Sequence, residues 1–287
     1  MRIAAIHSPN GKIFGTVQDN QFRPLLKSGA EVRDLRDVIA LVTAGQLEHG
    51  AQVDLAKVKL AAPVGPLAKN VVSVGKNYHD HAQEFARSGF DQSGDKVEVP
   101  EAPVVFTKAV TSLADPGQGI PASHDPSGST DYEGELGVVI GRRAKNVKGA
   151  EACYSVVFGY TIVNDVTART IQQKHKQWFL GKSLDGYCPV GPYLVTADEF
   201  GRPDQQTLTT TVNGEPRQHA KLRDLIFDVP AIIEAVSTYV PLDPGDLIAT
   251  GTPAGVGIGF KPPKYLKVGD RVTVAISGIG DLTNPVV

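Results

Sequence analysis

The chain has 287 residues, 41% hydrophobic and 21% charged, with a net charge of −2. That length allows one large domain, or one large and one small, with a sizeable buried core. The absence of a basic run argues against nucleic acid or an anionic membrane as partner.

The 30 glycines and 20 prolines, among many short β-branched runs, point to a turn-rich chain dominated by strands. Cys153 and Cys188 have neither C-x-x-C spacing nor a secreted-type framework, so both read as reduced thiols of a cytoplasmic protein. Residues 1–7 are strand-like and lack the pattern of a signal peptide, and no apolar run is long enough to span a membrane.

Residues 1–26 read as a small meander: strands at 2–7 and 13–17 flank the turn Pro9-Asn10-Gly11. In residues 32–47, Val32, Leu35, Val38, Ile39 and Val42 recur near a helical period. Residues 51–64 read as a linker with a strand at 58–62, and the break Pro63-Val64-Gly65-Pro66 marks a domain boundary near residue 66. Residues 1–66 are then a small β-rich packing domain without chemistry of its own, and 67–287 the main domain.

Residues 71–85 run from a strand through a glycine turn into a short helix. His81 and Glu84 are three apart and share a helix face. A carboxylate beside an imidazole orients it and raises its basicity, as a general base requires; the plain alternative is a surface ion pair. His79 points elsewhere on such a helix. The Gly- and Ser-rich residues 86–101 are either part of a lid, over about 78–100, or an ordinary exposed loop.

A strand at 103–108 and a turn-rich connection at 116–129 lead to Asp131-Tyr132-Glu133-Gly134-Glu135, which opens an apolar strand. If the strand begins at the acidic end, Asp131, Glu133 and Glu135 point to one side. Carboxylates so placed repel each other unless solvated, protonated or bound to a cation. The sharp reading is a hard divalent metal site, since oxygen donors suit Mg²⁺, Mn²⁺ or Ca²⁺; the bland one is a solvated strand end.

A helical turn near 148–154 precedes a strand at 156–162. Asp165 sits at that strand's end, with Arg169 and Gln172 on a following helical turn. Gly181-Lys182-Ser183 is reminiscent of a phosphate loop, but Lys176 stands where that motif needs glycine, so a nucleotide site is rejected. Residues 188–192 read as a proline break. Residues 194–218 read as strand, loop and strand, with an Asn213-Gly214 hairpin, and 228–240 is an amphipathic helix. After a strand at 247–250, Gly251-Thr252-Pro253-Ala254-Gly255-Val256-Gly257 is either a structural turn or a loop that offers N–H groups and the Thr252 hydroxyl to an anion. Strands at 271–276 and 282–287 close the chain.

Taken in this order, Asn77-Tyr78 with His81 and Glu84, Glu133-x-Glu135, Asp165 with Arg169 and Gln172, Gly181-Lys182-Ser183 and Gly251-Thr252-Pro253-Ala254-Gly255 resemble the fumarylacetoacetate hydrolase superfamily over about residues 67–287. The resemblance implies a mixed β, α+β fold, with a β-roll core, few helices and a small N-terminal domain, assembled as a homodimer. It implies Mg²⁺ or Mn²⁺ on Glu133, Glu135 and Asp165, with Ca²⁺ a possible substitute in a crystal. The longest members carry a further acidic ligand upstream of the lid histidine; residues 73–76 here hold no acid, as in the shorter acylpyruvate hydrolase-like members.

The implied reaction is hydrolytic C–C cleavage of a 2,4-dioxo acid such as an acylpyruvate or fumarylpyruvate. His81 and Glu84 activate water; Lys182, Gln172 and Arg169 stabilise the oxyanion or bind substrate; Thr252 and Tyr78 bind substrate. Residues 86–100 and the face around Tyr187 are the expected contacts for the distal substrate group. Competing readings are a lyase on the same scaffold (oxaloacetate decarboxylase, or 2-oxo acid hydratase or dehydratase), an isomerase of a ring-cleavage product, and a metal-stabilised β module used for assembly.

Overall fold

The computed structural model describes residues 1–87 and 100–287. The fold is mixed and mostly strands. In chain order the elements that matter here are β1 (Arg2–Ser8), β2 (Gly11–Gln18), β3 (Gln21–Lys27), α1 (Leu35–Ala44), β4 (Val71–Gly75), α2 (His79–Arg87), β5 (Val104–Lys108), β6 (Gly134–Ile140) and β7 (Val157–Asn164). They continue with α3 (Arg169–Lys174), α4 (Phe179–Lys182), β8 (Cys188–Thr196), β9 (Thr207–Val212), β10 (Glu215–Lys221), α5 (Val229–Tyr239), β11 (Leu247–Ala249), β12 (Arg271–Ile276) and β13 (Gly280–Pro285). Of the expected lid, residues 88–99 lie outside the described residues.

Neighbouring strands of the large sheet run β3-β2-β1-β8-β7-β6-β11-β4-β5, and a smaller sheet runs β10-β9-β12-β13. The pairing of β11 with β4 is parallel. Every residue of β6 is buried, because both of its faces are covered. Leu136, Val138 and Ile140 face one core, shared with Val272, Val274 and Leu282 of the small sheet and with Ile232, Ile233 and Val236 of α5. Val139 belongs to the opposite core, with Val163, Val190, Leu194 and residues of β1, β2 and α1.

The sheet does not stop at residue 66. Arg2 and Ile3 of β1 pair with Val195 and Leu194 of β8, and Ile3, Phe14, Leu35 and Val38 pack in the same core as Val139 and Val163. The expected helix over 32–47 is trimmed to α1: the Asp34 side chain caps it by accepting from Arg36 N, and Gly45, at φ 66°, ends it. The expected strand at 58–62 narrows to Leu60–Ala61, after a helical turn at Leu55–Lys57.

Residues 188–192 are a correction: they are no break but the start of β8. Proline is tolerated there because the ladder with β7 slips, Tyr160 pairing with Val195 but Ile162 with Gly191, so that Pro192 lies in an irregular stretch.

Candidate active site

Three carboxylates converge. One oxygen each from Glu133, Glu135 and Asp165 lie within 4.8 Å of one another, and all three residues are buried. Glu135 opens β6 opposite Val163 of β7, and Asp165 follows the end of β7. Glu133 precedes β6 and is locked to Asp165 through the backbone: Asp165 N donates to Glu133 O at 2.8 Å, and Glu133 N donates to the Asn164 side chain at 3.0 Å. The acids are thus set by register, not by side-chain reach.

Asp131 does not join them, which corrects the picture of three acids in alternation along one strand. The strand is interrupted at Tyr132 and Glu133, and Thr130–Asp131 pairs instead with Thr167–Ala168. The Asp131 carboxylate accepts from Arg169 Nε at 2.8 Å, Gly257 N at 2.6 Å and Ile258 N at 3.0 Å.

Three buried cations offset the acids. Lys182 Nζ lies 2.7 Å from Glu133 Oε2 and 2.8 Å from Asp165 Oδ2. Arg169 reaches Glu133 Oε1 at 2.7 Å while its Nε holds Asp131. Lys108, at the end of β5, places Nζ 2.7 Å from Asp165 Oδ1. Burial opposes the ionisation of Glu133, but Lys182 and Arg169 outweigh it and hold that carboxyl down at about 2. Burial also opposes the charge on Lys182, yet Asp165 and Glu133 keep its pKa above the usual lysine value. Among the described residues Glu135 has no such ion-pair partner. Burial, and then Asp165 and Glu133, push its carboxyl well above the ordinary range, although Gly251 N donates to it at 2.8 Å.

Across the cavity, His81 Nδ1 lies 3.2 Å from Glu84 Oε2 on α2. Glu84 in turn accepts from Gly255 N at 3.0 Å. Gly259 packs so closely on the Glu84 carboxyl that a Cβ there would overlap it. The cavity is lined by Glu133, Glu135, Arg169, Gln172, Lys182, Thr252 and His81 at its polar end. Phe85, Phe106 and Trp178 form its aromatic wall, the last two rings meeting edge-on at 5.2 Å between centroids.

The chain matches the family model "Fumarylacetoacetate (FAA) hydrolase C-terminal" over residues 70–287. It belongs to the fumarylacetoacetate hydrolase family. It is 45% identical over 232 residues to the oxaloacetate tautomerase YisK of Bacillus subtilis, covering 81% of this chain and 74% of that one. The fumarylacetoacetate hydrolase of the psychrophile Exiguobacterium antarcticum superposes with a TM-score of 0.83 at 38% identity, over 100% of this chain and 99% of that one. A maleylpyruvate hydrolase from Sphingobium sp. SYK-6, solved with manganese(II) and pyruvate, gives 0.75 at 29% identity, over 100% and 99%.

The acidic triad of this fumarylacetoacetate hydrolase family chain fits a divalent ion. Its donors are all carboxylate oxygens, as hard cations prefer. Asp165 Oδ1 is buried with no directed hydrogen bond among the described residues, its only close charge being the Lys108 ammonium. The Glu135 carboxyl is raised first by burial and then by the charges of Asp165 and Glu133, all of which a bound cation would oppose.

Most residues singled out in the sequence meet here: His81, Glu84, Glu133, Glu135, Asp165, Arg169, Gln172 and Lys182. Thr252 lines the cavity, but its hydroxyl donates to Gly134 O at 3.0 Å and accepts from Gln218 at 2.7 Å, so it has no proton left for a substrate carboxylate. Tyr78 lines a different cavity, with His79, His219 and Asp224, and its buried hydroxyl has no partner among the described residues. Tyr187 is buried too, its hydroxyl 2.8 Å from that of Thr130, and does not reach the site.

Sequence reasoning missed Lys108, Gln218 and the aromatic wall. A lysine that ends an apolar strand carries no local signal. Trp178 had one: it is the chain's single tryptophan, and it covers Gly75, where a Cβ would strike the ring.

Proposed function

We propose that this chain is a Mg²⁺- or Mn²⁺-dependent enzyme of 2-oxo acids, and that it interconverts the keto and enol forms of a four-carbon 2-oxo dicarboxylate of the oxaloacetate kind. The observation that carries the reading is the convergence of Glu133, Glu135 and Asp165 beside a cavity that the two glutamates line together with His81. A divalent ion held by these acids would polarise a 2-oxo oxygen and acidify the adjacent carbon.

His81 is the base. In the tautomer whose Nδ1–H donates to Glu84, Nε2 is free to take a proton from that carbon and return it to oxygen. Lys182 and Arg169 are fixed positive charges beside the oxygen that gains electron density, and Gln172, 3.4 Å from Arg169, adds a polar contact. The 45% identical tautomerase supports this finer reaction.

A second reading is hydrolysis of a 2,4-dioxo acid to a pyruvate-type product and a carboxylic acid. The His81–Glu84 pair favours it, being suited to deprotonate water, and two of the similar structures are of hydrolases. Cytoplasmic location and a homodimer complete the proposal, supported by two buried free thiols and by the family.

One assay separates the reactions. Protein reconstituted with Mg²⁺ or Mn²⁺ is given enol-oxaloacetate, an acylpyruvate and fumarylpyruvate. Loss of enol absorbance without pyruvate release is the expected result. Equimolar pyruvate and acid from an acylpyruvate, with oxaloacetate untouched, would replace tautomerisation by hydrolysis; pyruvate and CO₂ from oxaloacetate would replace it by decarboxylation.

A further inference from the structure

We infer that Lys76 selects 2-oxo acids that carry a second carboxylate, by pairing with that distal group beside the aromatic wall of the cavity. Among the described residues, Arg169, Lys182 and Lys76 are the arginine and lysine side chains that line the cavity. The first two are buried and close on acids: Arg169 on Asp131 and Glu133, Lys182 on Glu133 and Asp165. Lys76 is half-buried and belongs with the rings. Its Nζ lies 5.4 Å from the centroid of Phe85, and Phe85 meets Trp178 edge-on at 6.0 Å between centroids.

The backbone fixes Lys76 in this place. Gly75 ends β4 against the Trp178 ring, with no room for a Cβ. Asn77 is tied on the other side: its amide donates to Phe227 O at 2.9 Å and Thr250 O at 2.7 Å, and its side-chain oxygen accepts from Phe227 N at 2.8 Å. Between these two residues Lys76 takes φ 54°, a left-handed conformation that is strained for a residue with a Cβ and unstrained for glycine. Strain of this kind gathers at functional sites, where the surroundings enforce it. Here the strained residue is one that brings a positive charge to the cavity.

A 2-oxo dicarboxylate has two ends to satisfy. Its 1-carboxylate and 2-oxo group belong at the acidic end. Its distal carboxylate does not, because Glu133 and Glu135 repel it and Arg169 and Lys182 already serve acids there. Beside Phe85, Phe106 and Trp178 water is partly excluded, so an unpaired carboxylate is costly and an ion pair is stronger than in bulk water. An ammonium on a flexible stem can turn from a ring face to a carboxylate, and the ion pair is the better contact. A substrate that ends in a methyl group meets the same rings without that pair. The inference rests on the reading of the acidic end as the place that holds the 2-oxo acid head.

The test measures affinity, not turnover. Calorimetry on the Mn²⁺-loaded full chain compares malate with 2-hydroxybutanoate of the same configuration, two unreactive four-carbon acids that differ by a distal carboxylate in place of a methyl group. Oxalate serves as a head group with no distal part. Wild type is expected to bind malate more tightly than 2-hydroxybutanoate by about tenfold or more, the size of a charge-assisted contact. Lys76→Met should bring the two affinities together by weakening malate alone, and Lys76→Arg should keep the preference. Lys76→Gly, which suits φ 54° without strain, should behave as the Met variant does and decides if that one fails to fold.

A preference for malate that survives in folded Met or Gly protein overturns the inference. So does a wild type that binds oxalate but favours neither four-carbon acid. Failure of wild type to bind oxalate as well would remove the reading of the acidic end, and this inference with it.

Discussion

The two ends of the polar cavity are built in different ways. The acids sit on or beside central strands and are held from the body of the fold: Glu135 by Gly251 N, Glu133 by Lys182 and Arg169, Asp165 by Lys108 and Lys182. The His81–Glu84 pair sits on α2, which is held by side chains: Ala82 and Phe85 are buried, Phe85 meets the Trp178 ring, and Glu84 accepts from Gly255 N. A strand pair sets positions to within the sheet's own register, while a helix held by side-chain packing has no ladder of backbone bonds to its neighbours and can shift as a unit. The difference suits a site that must hold a charge still and bring a proton carrier to it.

The largest effect expected from this contrast is at the acidic end. Glu135→Ala should cost several kcal/mol of transition-state stabilisation, about a 10³-fold loss of metal-dependent turnover or more, with the circular dichroism spectrum unchanged. Full activity of that variant in the presence of chelator would show that the acids do not serve the reaction.

At the helical end, His81→Ala should lower kcat by about 10²- to 10⁴-fold, while the dissociation constant for Mn²⁺ stays at its wild-type value. A variant that turns over normally would place the base elsewhere; one that loses Mn²⁺ would mean the two ends are not separate.

The smallest effect is a pH dependence confined to the acidic end. The Glu135 carboxyl is raised in the fold above its reference of 4.5, so between those two values the metal-free folded chain keeps a proton that the unfolded chain has lost. Stability of the metal-free protein should therefore decline as pH rises through that window. Uptake of Mg²⁺ should release the proton there, and affinity should strengthen by up to about tenfold per pH unit. Calorimetry in buffers of different ionisation heat reads the proton count, and a count of zero across the window would contradict the assigned role of Glu135.

The sequence was legible where chemistry coincides with a local period. Glu135 could be placed because an acid opening a β-branched run has a defined face, and Asp165 because a strand end is a fixed point. His81 and Glu84 could be paired because helical spacing brings them together. Legibility failed where long-range partners decide. Asp131 continues the acidic alternation on paper, yet the strand is interrupted at Tyr132 and Glu133, and that carboxylate goes to Arg169 and the backbone of Gly257 and Ile258. Thr252 is a hydroxyl on a glycine-rich loop, and only the fold reveals that Gln218 and Gly134 have taken its bonds. Pro189 and Pro192 look like punctuation until the slip between β7 and β8 makes room for them.

The pairing of Arg2 and Ile3 with Val195 and Leu194 carries a practical lesson for anyone shortening the chain. The family model's match starts at residue 70, which invites trimming everything before it. Such a truncation would strip β8 of its neighbour and bare a row of main-chain donors and acceptors beside freshly uncovered Val190 and Leu194. The trimmed protein would not be a smaller enzyme but a sticky one, recruiting its own copies along that raw border.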